Sequence, residues 1–581
     1  LWRGVEIVEH PQDEFRDLYA YCLRATATRA TLDIHYVLNT CPEHLENAEI
    51  YVCGHCGESH FETVRRLHRF AGLIGIEIDN PKLWWPLGYG DPHLYEVYVE
   101  FRQAGRLLAS RTINVGLRTV ALDRSLQPDQ RFGFLFRING EPILVKGANW
   151  VPADAFHSRD AERISHHLDL FVEAGCNLVR CWGGNVYEDS AFFDQCDRLG
   201  LMVWQDFAMA CGLYPQDEAF AETIRREAVV VVRKLRNHPS LVIWCGDNEC
   251  DENAFSEQLD PGTNRLTREV IPRVLVDEDP YRPYVPSSPY FTPEAVATQD
   301  VHQLPERHLW GPRDYYKSDY YRDNRAAFVS EIGFHGCPNV SSIKRFIAPE
   351  YLWPWKDNPQ WAIHASDPLG LEGPYAYRSE LMAKQIRSVF GTDPATLEDF
   401  ALASQIVQAE AKKSFVETTR LAKWSRTGVI WWNVIDGWPQ FSDAVVDYYY
   451  GKKLAFYYLR RVQQPLCLMT AEPVDGQVVV VAGNDSLEAR SGTFRVWDAD
   501  SGATHLEGSF DVPVNSNAEL GRIMITPNRA QLLLLSWKTA SVSGVNHALI
   551  GDVPLDFKQT RDWLAAIAAL DGTFDSASVA R

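Results

Sequence analysis

Two glutamates have the residue type and setting for chemistry. Leu241-Val-Ile-Trp-Cys-Gly-Asp-Asn-Glu runs from apolar residues through a Gly-containing polar turn to a carboxylate at Glu249. Ala327-Phe-Val-Ser-Glu-Ile-Gly-Phe repeats the pattern and delivers Glu331, 82 positions on (331 − 249). An apolar run ending this way reads as a buried strand presenting its last side chains at the rim of a sheet. Two such acids can divide labour at a glycosidic bond. One protonates the leaving oxygen, and the other attacks the anomeric carbon or activates water. The carboxyls stand about 5–5.5 Å apart for covalent attack and about 6.5–9.5 Å apart for direct attack by water. From position alone, each glutamate could also be a solvated strand-end acid. Asn248, beside Glu249, is suited to hydrogen-bond a sugar hydroxyl.

The elements around these acids alternate. Residues 143–147 read as a short buried strand, and Arg159 to Glu173 as a helix with Ile164, Leu168 and Phe171 at helical spacing. A strand over 177–182 follows, then a helix from Ser190 to Leu199, a strand over 201–204, and a helix from Glu218 to Arg236 that leads into Leu241 to Trp244. Repeated βα units predict a parallel sheet, closed as a barrel or doubly wound. The downstream ends of the strands favour the barrel. They carry Asn149 and Trp150, Trp182, Asp206, Asn248 and Glu249, His302, Glu331, and Trp431, Trp432 and Asn433, and barrel active sites are assembled at that face. Gly183-Gly184 is not the Gly-rich turn of a dinucleotide fold. Before this region, 31–38 and 94–101 alternate polar and apolar residues as half-buried strands do, with Gly105 at the following turn, and read as a β-sandwich. After about residue 465, the runs at 476–483 and 531–536 read as a further sandwich, closed by a short helix over 560–570.

Composition excludes several functions. The chain of 581 residues has room for roughly three to four domains. No run of about 18 apolar residues occurs, so no membrane partner is expected. A net charge of −20 argues against a nucleic-acid partner, because phosphates demand a basic face. Eighteen Trp and 24 Tyr exceed ordinary core needs and offer platforms for sugar rings, large cores accounting for the rest. The twelve Cys show no disulfide spacing, which reads as a cytoplasmic bacterial enzyme. Cys53-Gly-His-Cys56 is a lone CxxC with no second pair, so a structural or incidental role is expected. No cluster has clear ligand spacing, so neither a metal nor another cofactor is expected.

Several stretches resemble glycoside hydrolase family 2, and within it the β-mannosidase-like branch. They are Lys82-Leu-Trp-Trp-Pro-Leu-Gly-Tyr-Gly, Gly147-Ala-Asn-Trp-Val-Pro-Ala-Asp, Arg180-Cys-Trp-Gly-Gly-Asn-Val-Tyr-Glu, Val203-Trp-Gln-Asp-Phe and Asn237-His-Pro-Ser. Gly246-Asp-Asn-Glu, Ser330-Glu-Ile-Gly-Phe, Trp431-Trp-Asn-Val-Ile-Asp-Gly-Trp-Pro and Asn546-His-Ala-Leu-Ile-Gly complete the set. The resemblance implies a multidomain chain in which a (β/α)8 TIM barrel is flanked by immunoglobulin-like β-sandwich domains. The implied divisions are a remnant of a sugar-binding jelly roll over 1–10, a sandwich over 11–122, the barrel over 123–464 and a C-terminal sandwich over 465–581. Residues 1–9 read as mid-strand, so a further sugar-binding segment is expected ahead of them.

By the same resemblance Glu249 falls on the acid/base and Glu331 on the nucleophile of a retaining β-glycosidase that removes terminal β-D-mannosyl residues. Asn248, Trp182, Asp206 and Trp431 or Trp432 fall on segments that line the sugar subsite. Asn149 and His302 join them as strand-end residues, although Gln303-Leu-Pro-Glu-Arg-His interrupts the expected pattern and leaves a structural role for His302 open. The partner is then an oligosaccharide or glycoside. An exo-β-D-glucosaminidase or another β-glycosidase is the alternative within the family, the former with Asp247 or Asp206 as the extra acid for an amino group. A non-catalytic carbohydrate-binding scaffold is the alternative of another class.

Overall fold

Eight parallel strands alternate with helices along the middle of the chain, in the (β/α)8 arrangement of a TIM barrel. They are β1 (Val145–Trp150), β2 (Leu178–Cys181), β3 (Met202–Asp206), β4 (Leu241–Cys245), β5 (Tyr284–Val285), β6 (Glu306–Leu309), β7 (Phe328–Gly333) and β8 (Gly428–Trp432). The helices that matter below are α1 (Asp160–Glu173), α2 (Ser190–Leu199), α3 (Glu218–Leu235), α4 (Cys250–Ser256) and α5 (Leu397–Leu421). Every residue of β1, β2, β3, β4 and β7 is buried, as strands covered on both faces must be. The computed structural model describes residues 5, 7–126, 132–365, 378–526 and 529–581.

The chain forms two compact units. The first comprises Leu1–Ser125, Leu135–Ile143 and Cys181–Gln299. It opens with an antiparallel sandwich of the immunoglobulin-like kind. One sheet has Glu14–Ala25, Arg29–Asn39 and Ala71–Asp79 in that order, and the other has Ser59–Arg66, Ala48–Cys56, Tyr95–Gln103 and Arg106–Val115. Alternate residues such as Leu32, Ile34, Ile50, Val52, Val97 and Val99 fill the space between the sheets. In the same unit β3, β4 and β5 lie side by side in parallel. The second unit comprises Leu126–Phe134, Leu144–Arg180 and Asp300–Arg581. Its parallel strands run in the order β2, β1, β8, β7, β6. Its other sandwich has sheets of three strands (Leu466–Thr470, Gln477–Asn484, Asn517–Met524) and four (Thr504–Val512, Arg490–Asp498, Gln531–Thr539, Ser543–Ile550).

In the second unit one buried carboxylate ties sandwich to barrel. Asp485 meets Lys146 of β1 at 2.8 Å, Arg420 of α5 at 3.0 Å and Lys423 at 2.6 Å. Burial alone would raise its pKa, but the three cations outweigh that and hold the carboxyl far below the usual carboxylate range. Burial likewise pushes Lys146 down to about 8.

Two expectations need correction. Ile143 belongs to an antiparallel strand (Glu141–Ile143) paired with Leu135–Ile138, and β1 starts only at Val145. Leu144 lies between them. The mid-strand expected at the start does not form at Val5 or at residues 7–9. Val5 and residues 7–10 lie outside any strand and are exposed, whereas residues 1–4 and 6 of the expected jelly-roll remnant lie outside the described residues. Cys53 and Cys56 share the strand Ala48–Cys56, where an offset of three points side chains to opposite faces, and both are free thiols. Among the described residues no helix is long and apolar enough to cross a membrane.

Candidate active site

Glu249 lies in the first unit, immediately after β4. The ends of three strands are stitched together there: Cys211 N donates to Asn248 O at 2.8 Å, Asn248 N to Met209 O at 2.9 Å, and Glu249 N to Ser288 O at 2.8 Å. Glu249 itself adopts a left-handed backbone, φ 59° and ψ 11°, at the start of α4. That conformation favours Gly or Asn, so a glutamate there is held by its surroundings. Its side chain is half-buried, and the Cys211 thiol approaches its Oε2 at 3.3 Å. Asn248 Nδ2 contacts the same sulfur at 3.4 Å. Cys211 carries no spacing signal that could have marked it in the sequence.

The acids beside Glu249 are buried. Asp247 Oδ1 accepts from Ser287 Oγ at 2.5 Å and from Cys250 N at 3.2 Å, and Oδ2 accepts from Asn264 Nδ2 at 3.3 Å. Burial, reinforced by the charge of Asp251, pushes its carboxyl up to about 8. Asp251 is raised by burial too, although Arg268, 2.7 Å away, opposes the shift. Asp206, at the end of β3, is buried and accepts from Trp204 Nε1 at 2.7 Å and Gly183 N at 3.0 Å. The half-buried ring of Trp182 lies over Gly184, where a Cβ would come within 2.1 Å of the indole. Gly184 therefore makes room for the Trp182 ring.

Glu331 lies in the second unit, within β7, and is buried with defined partners. Arg180 Nη1, on β2, donates to Glu331 Oε1 at 2.6 Å and to Asn149 Oδ1 at 3.0 Å. Trp310 Nε1 donates to Glu331 Oε2 at 2.7 Å, and His308 Nδ1 lies 3.5 Å from that oxygen. A charge-assisted bond on one oxygen and an indole N–H on the other fix the orientation of the carboxylate. Asn149 also donates from Nδ2 to Ser330 O at 3.2 Å, so it braces β7 and is committed to protein partners. Gly333 is obligatory, since a Cβ there would meet Trp310 Cζ3 at 2.3 Å and Asp443 Oδ1 at 2.7 Å.

The second unit corrects two candidates. His302 is not at a strand end. It is exposed on a short 3-10 turn, Val301–Gln303, where its own N–H donates to Asp300 Oδ1 at 2.9 Å, and β6 begins only at Glu306. The residues at that strand's end are His308 and Trp310, which sequence reading passed over because Leu304-Pro305 delays the strand. Trp431 is fully buried, with Nε1 donating to Gln463 Oε1 at 3.1 Å and the Lys412 ammonium 5.1 Å from its ring centre. It is barrel packing. Trp432, one residue on and therefore on the opposite face of β8, is half-buried and meets the Trp310 ring edge-on at 5.8 Å. Lys412 Nζ donates to Trp432 O, and burial pushes this lysine down to about 7.

In the first unit Asp194, Asp197 and His238 bring three potential ligand atoms within 4.8 Å of one another. Asp197 is already spent on His238 Nδ1 at 2.7 Å and Ser240 N at 2.9 Å, so the group is a structural clasp for the turn after α3.

Comparison with known proteins adds to this geometry. A model of the glycosyl hydrolases family 2 matches residues 29–118. The β-mannosidase B of Neosartorya fischeri is 31% identical over 480 residues, covering 78% of this chain and 54% of its own. The β-mannosidase of Capra hircus is 30% identical over 418 residues, covering 68% and 47%. The chain thus spans about half the length of the curated relatives it matches. The crystal structure of the β-D-mannosidase from Dictyoglomus thermophilum superposes with a TM-score of 0.81 at 26% identity, over 94% of this chain and 67% of that one.

Proposed function

Because the chain belongs to glycosyl hydrolase family 2, we propose that it hydrolyses terminal non-reducing β-D-mannosyl residues by double displacement. Glu331 attacks the anomeric carbon and forms a glycosyl-enzyme ester while Glu249 gives a proton to the departing oxygen. Glu249 then takes a proton from water, which attacks the same carbon, releases Glu331 and leaves the sugar with its original configuration. The observation that carries this reading is the clamp on Glu331. A nucleophile must keep one orientation, and Arg180 and Trp310 hold one carboxylate oxygen each. The half-buried setting of Glu249 suits a group that must reach both a leaving oxygen and water.

The glycone is read from the relatives' names, β-mannosidase in each case, and from the acids available. An amino-sugar specificity would want a carboxylate turned to the ligand. Asp247 is wholly buried among Ser287, Cys250 and Asn264, and both oxygens of Asp206 accept protein N–H groups. A panel of nitrophenyl β-glycosides tests the choice, with the mannoside expected to turn over fastest and the glucosaminide poorly. Glu331→Gln should abolish turnover with the melting temperature preserved, and near-normal rates in that variant would refute its role. Glu249→Ala should regain turnover of an activated aryl mannoside when azide is added.

A further inference from the structure

Glu249 is a non-glycine residue in the left-handed region, and a backbone of this kind persists only where neighbours over-determine it. The neighbours are specific. On its N-terminal side Asp247 reaches across it, Oδ1 accepting from Cys250 N at 3.2 Å. On its C-terminal side Asp251 Oδ2 accepts from Arg268 Nη2 at 2.7 Å and from Phe291 N at 3.1 Å. Ser287 joins the two sides, donating Oγ–H to Asp247 Oδ1 at 2.5 Å and accepting from Asp251 N at 3.4 Å. The backbone of Glu249 is pinned as well, its N–H on Ser288 O at 2.8 Å and its C=O accepting from Asn253 N at 2.9 Å. Neither acid is spare surface charge. Asp247 is fully buried, Asp251 is 1% exposed, and Asp251 forms one wall of a cavity of about 180 Å³ lined also by Gly212, Tyr214, Cys250 and Asn264.

We infer that Asp251, anchored by Arg268, and Asp247 are positioning residues that hold the Glu249 turn so that its carboxyl stands off the end of β4. The inference rests on the reading of Glu249 as the acid/base. Neither aspartate is assigned a contact with substrate. Each acts through the backbone on both sides of Glu249, which separates this role from ordinary packing. Helix α4 is only seven residues long and has no side-chain cap at Glu249, so its start is set by these two acids and Ser287.

Misplacing Glu249 slows glycosylation only where the departing group needs its proton, whereas the water step, in which Glu249 is the base, slows for every substrate. Asp251→Asn should therefore lower kcat/KM for β-1,4-mannobiose, which reports the glycosylation step, by at least about tenfold, within the range a general acid contributes. For 2,4-dinitrophenyl β-D-mannoside, whose leaving group departs unprotonated, kcat/KM should stay within about threefold while kcat falls with the slowed water step. Arg268→Met removes the same anchor from the other partner and should reproduce the pattern, and Arg268→Lys should restore part of the mannobiose rate. Equal losses of kcat/KM on both substrates, or no loss on mannobiose, would overturn the inference. Glu249→Ala measured alongside keeps the two readings apart. If it shows no leaving-group dependence, the acid/base assignment fails. If it does and Asp251→Asn does not, the positioning role alone fails.

Discussion

Replacing Asp247 by Asn should stabilise the protein at neutral and alkaline pH. In the folded chain burial and the neighbouring Asp251 push Asp247 up to about 8, against an ordinary value of 3.8. A carboxyl whose folded pKa is raised favours the folded state only while it is protonated in both states, below about 4. As the pH climbs from there the unfolded chain gains by ionising, and the penalty on folding grows until the folded carboxyl ionises too, near 8. At about 1.4 kcal/mol for each tenfold change in proton affinity, the penalty is about 4 kcal/mol at pH 7 and about 6 kcal/mol above pH 8. Asparagine has nearly the shape of the neutral acid, keeps an oxygen for Ser287 and Cys250, and turns its amide toward Asn264, whose own amide can rotate to accept. Thermal melts of both proteins from pH 5 to 9 read the result. The variant should melt several degrees above the parent at pH 8, with the gap narrowing steadily toward pH 5. A variant no more stable at pH 8, or a gap independent of pH, would refute the reasoning.

The remaining predictions follow from the second unit. Arg180→Lys should lower kcat by about 10²-fold with the fold intact, because one ammonium cannot hold both Glu331 and Asn149 in the geometry of the guanidinium. Arg180→Met should in addition cost about 3–5 kcal/mol in denaturant melts, since it strands a buried carboxylate. Lys412 has the opposite sign to Asp247. Its folded pKa is pushed down to about 7, so its contribution to stability is full above about 10.5 and is lost as the pH falls through 7. Lys412→Met should flatten the rise in melting temperature between pH 7 and 10, and a parallel slope in both proteins would contradict this.

The barrel was legible wherever burial and periodicity agreed. The run 241–245 is apolar throughout and bounded by polar turns, and the helix read from Ser190 to Leu199 has those same limits in space. Glu249 and Glu331 stood out because each terminates such a run. What stayed hidden was set by partners far along the chain. Nothing near Glu331 in sequence announces Arg180, 151 residues earlier, although the arginine sits in a stretch that attracted notice for its tryptophan. His302 misled because a polar residue after an apparent apolar stretch imitates a strand end. Its 3-10 turn depends on the local cap from Asp300, a signal as short as the one it overrides. Trp431 and Trp432 differ only in which face of β8 each occupies, and a five-residue strand gives too few alternations to decide that from composition.

The contact at Asp485 bears on how this chain can be cut. A sandwich that merely hung from a barrel by a linker could be deleted at the seam, and the remainder would lose little. Here deletion after Pro465 would take away the Asp485 carboxylate that Lys146, Arg420 and Lys423 share. It would leave one ammonium on a barrel strand and two more cations at the end of a long helix, facing newly opened solvent and repelling one another. Expression of the barrel without its trailing sandwich should then give aggregated or protease-sensitive material. Engineered fusions should keep everything through the last helix, Phe557–Ala569, as one indivisible body.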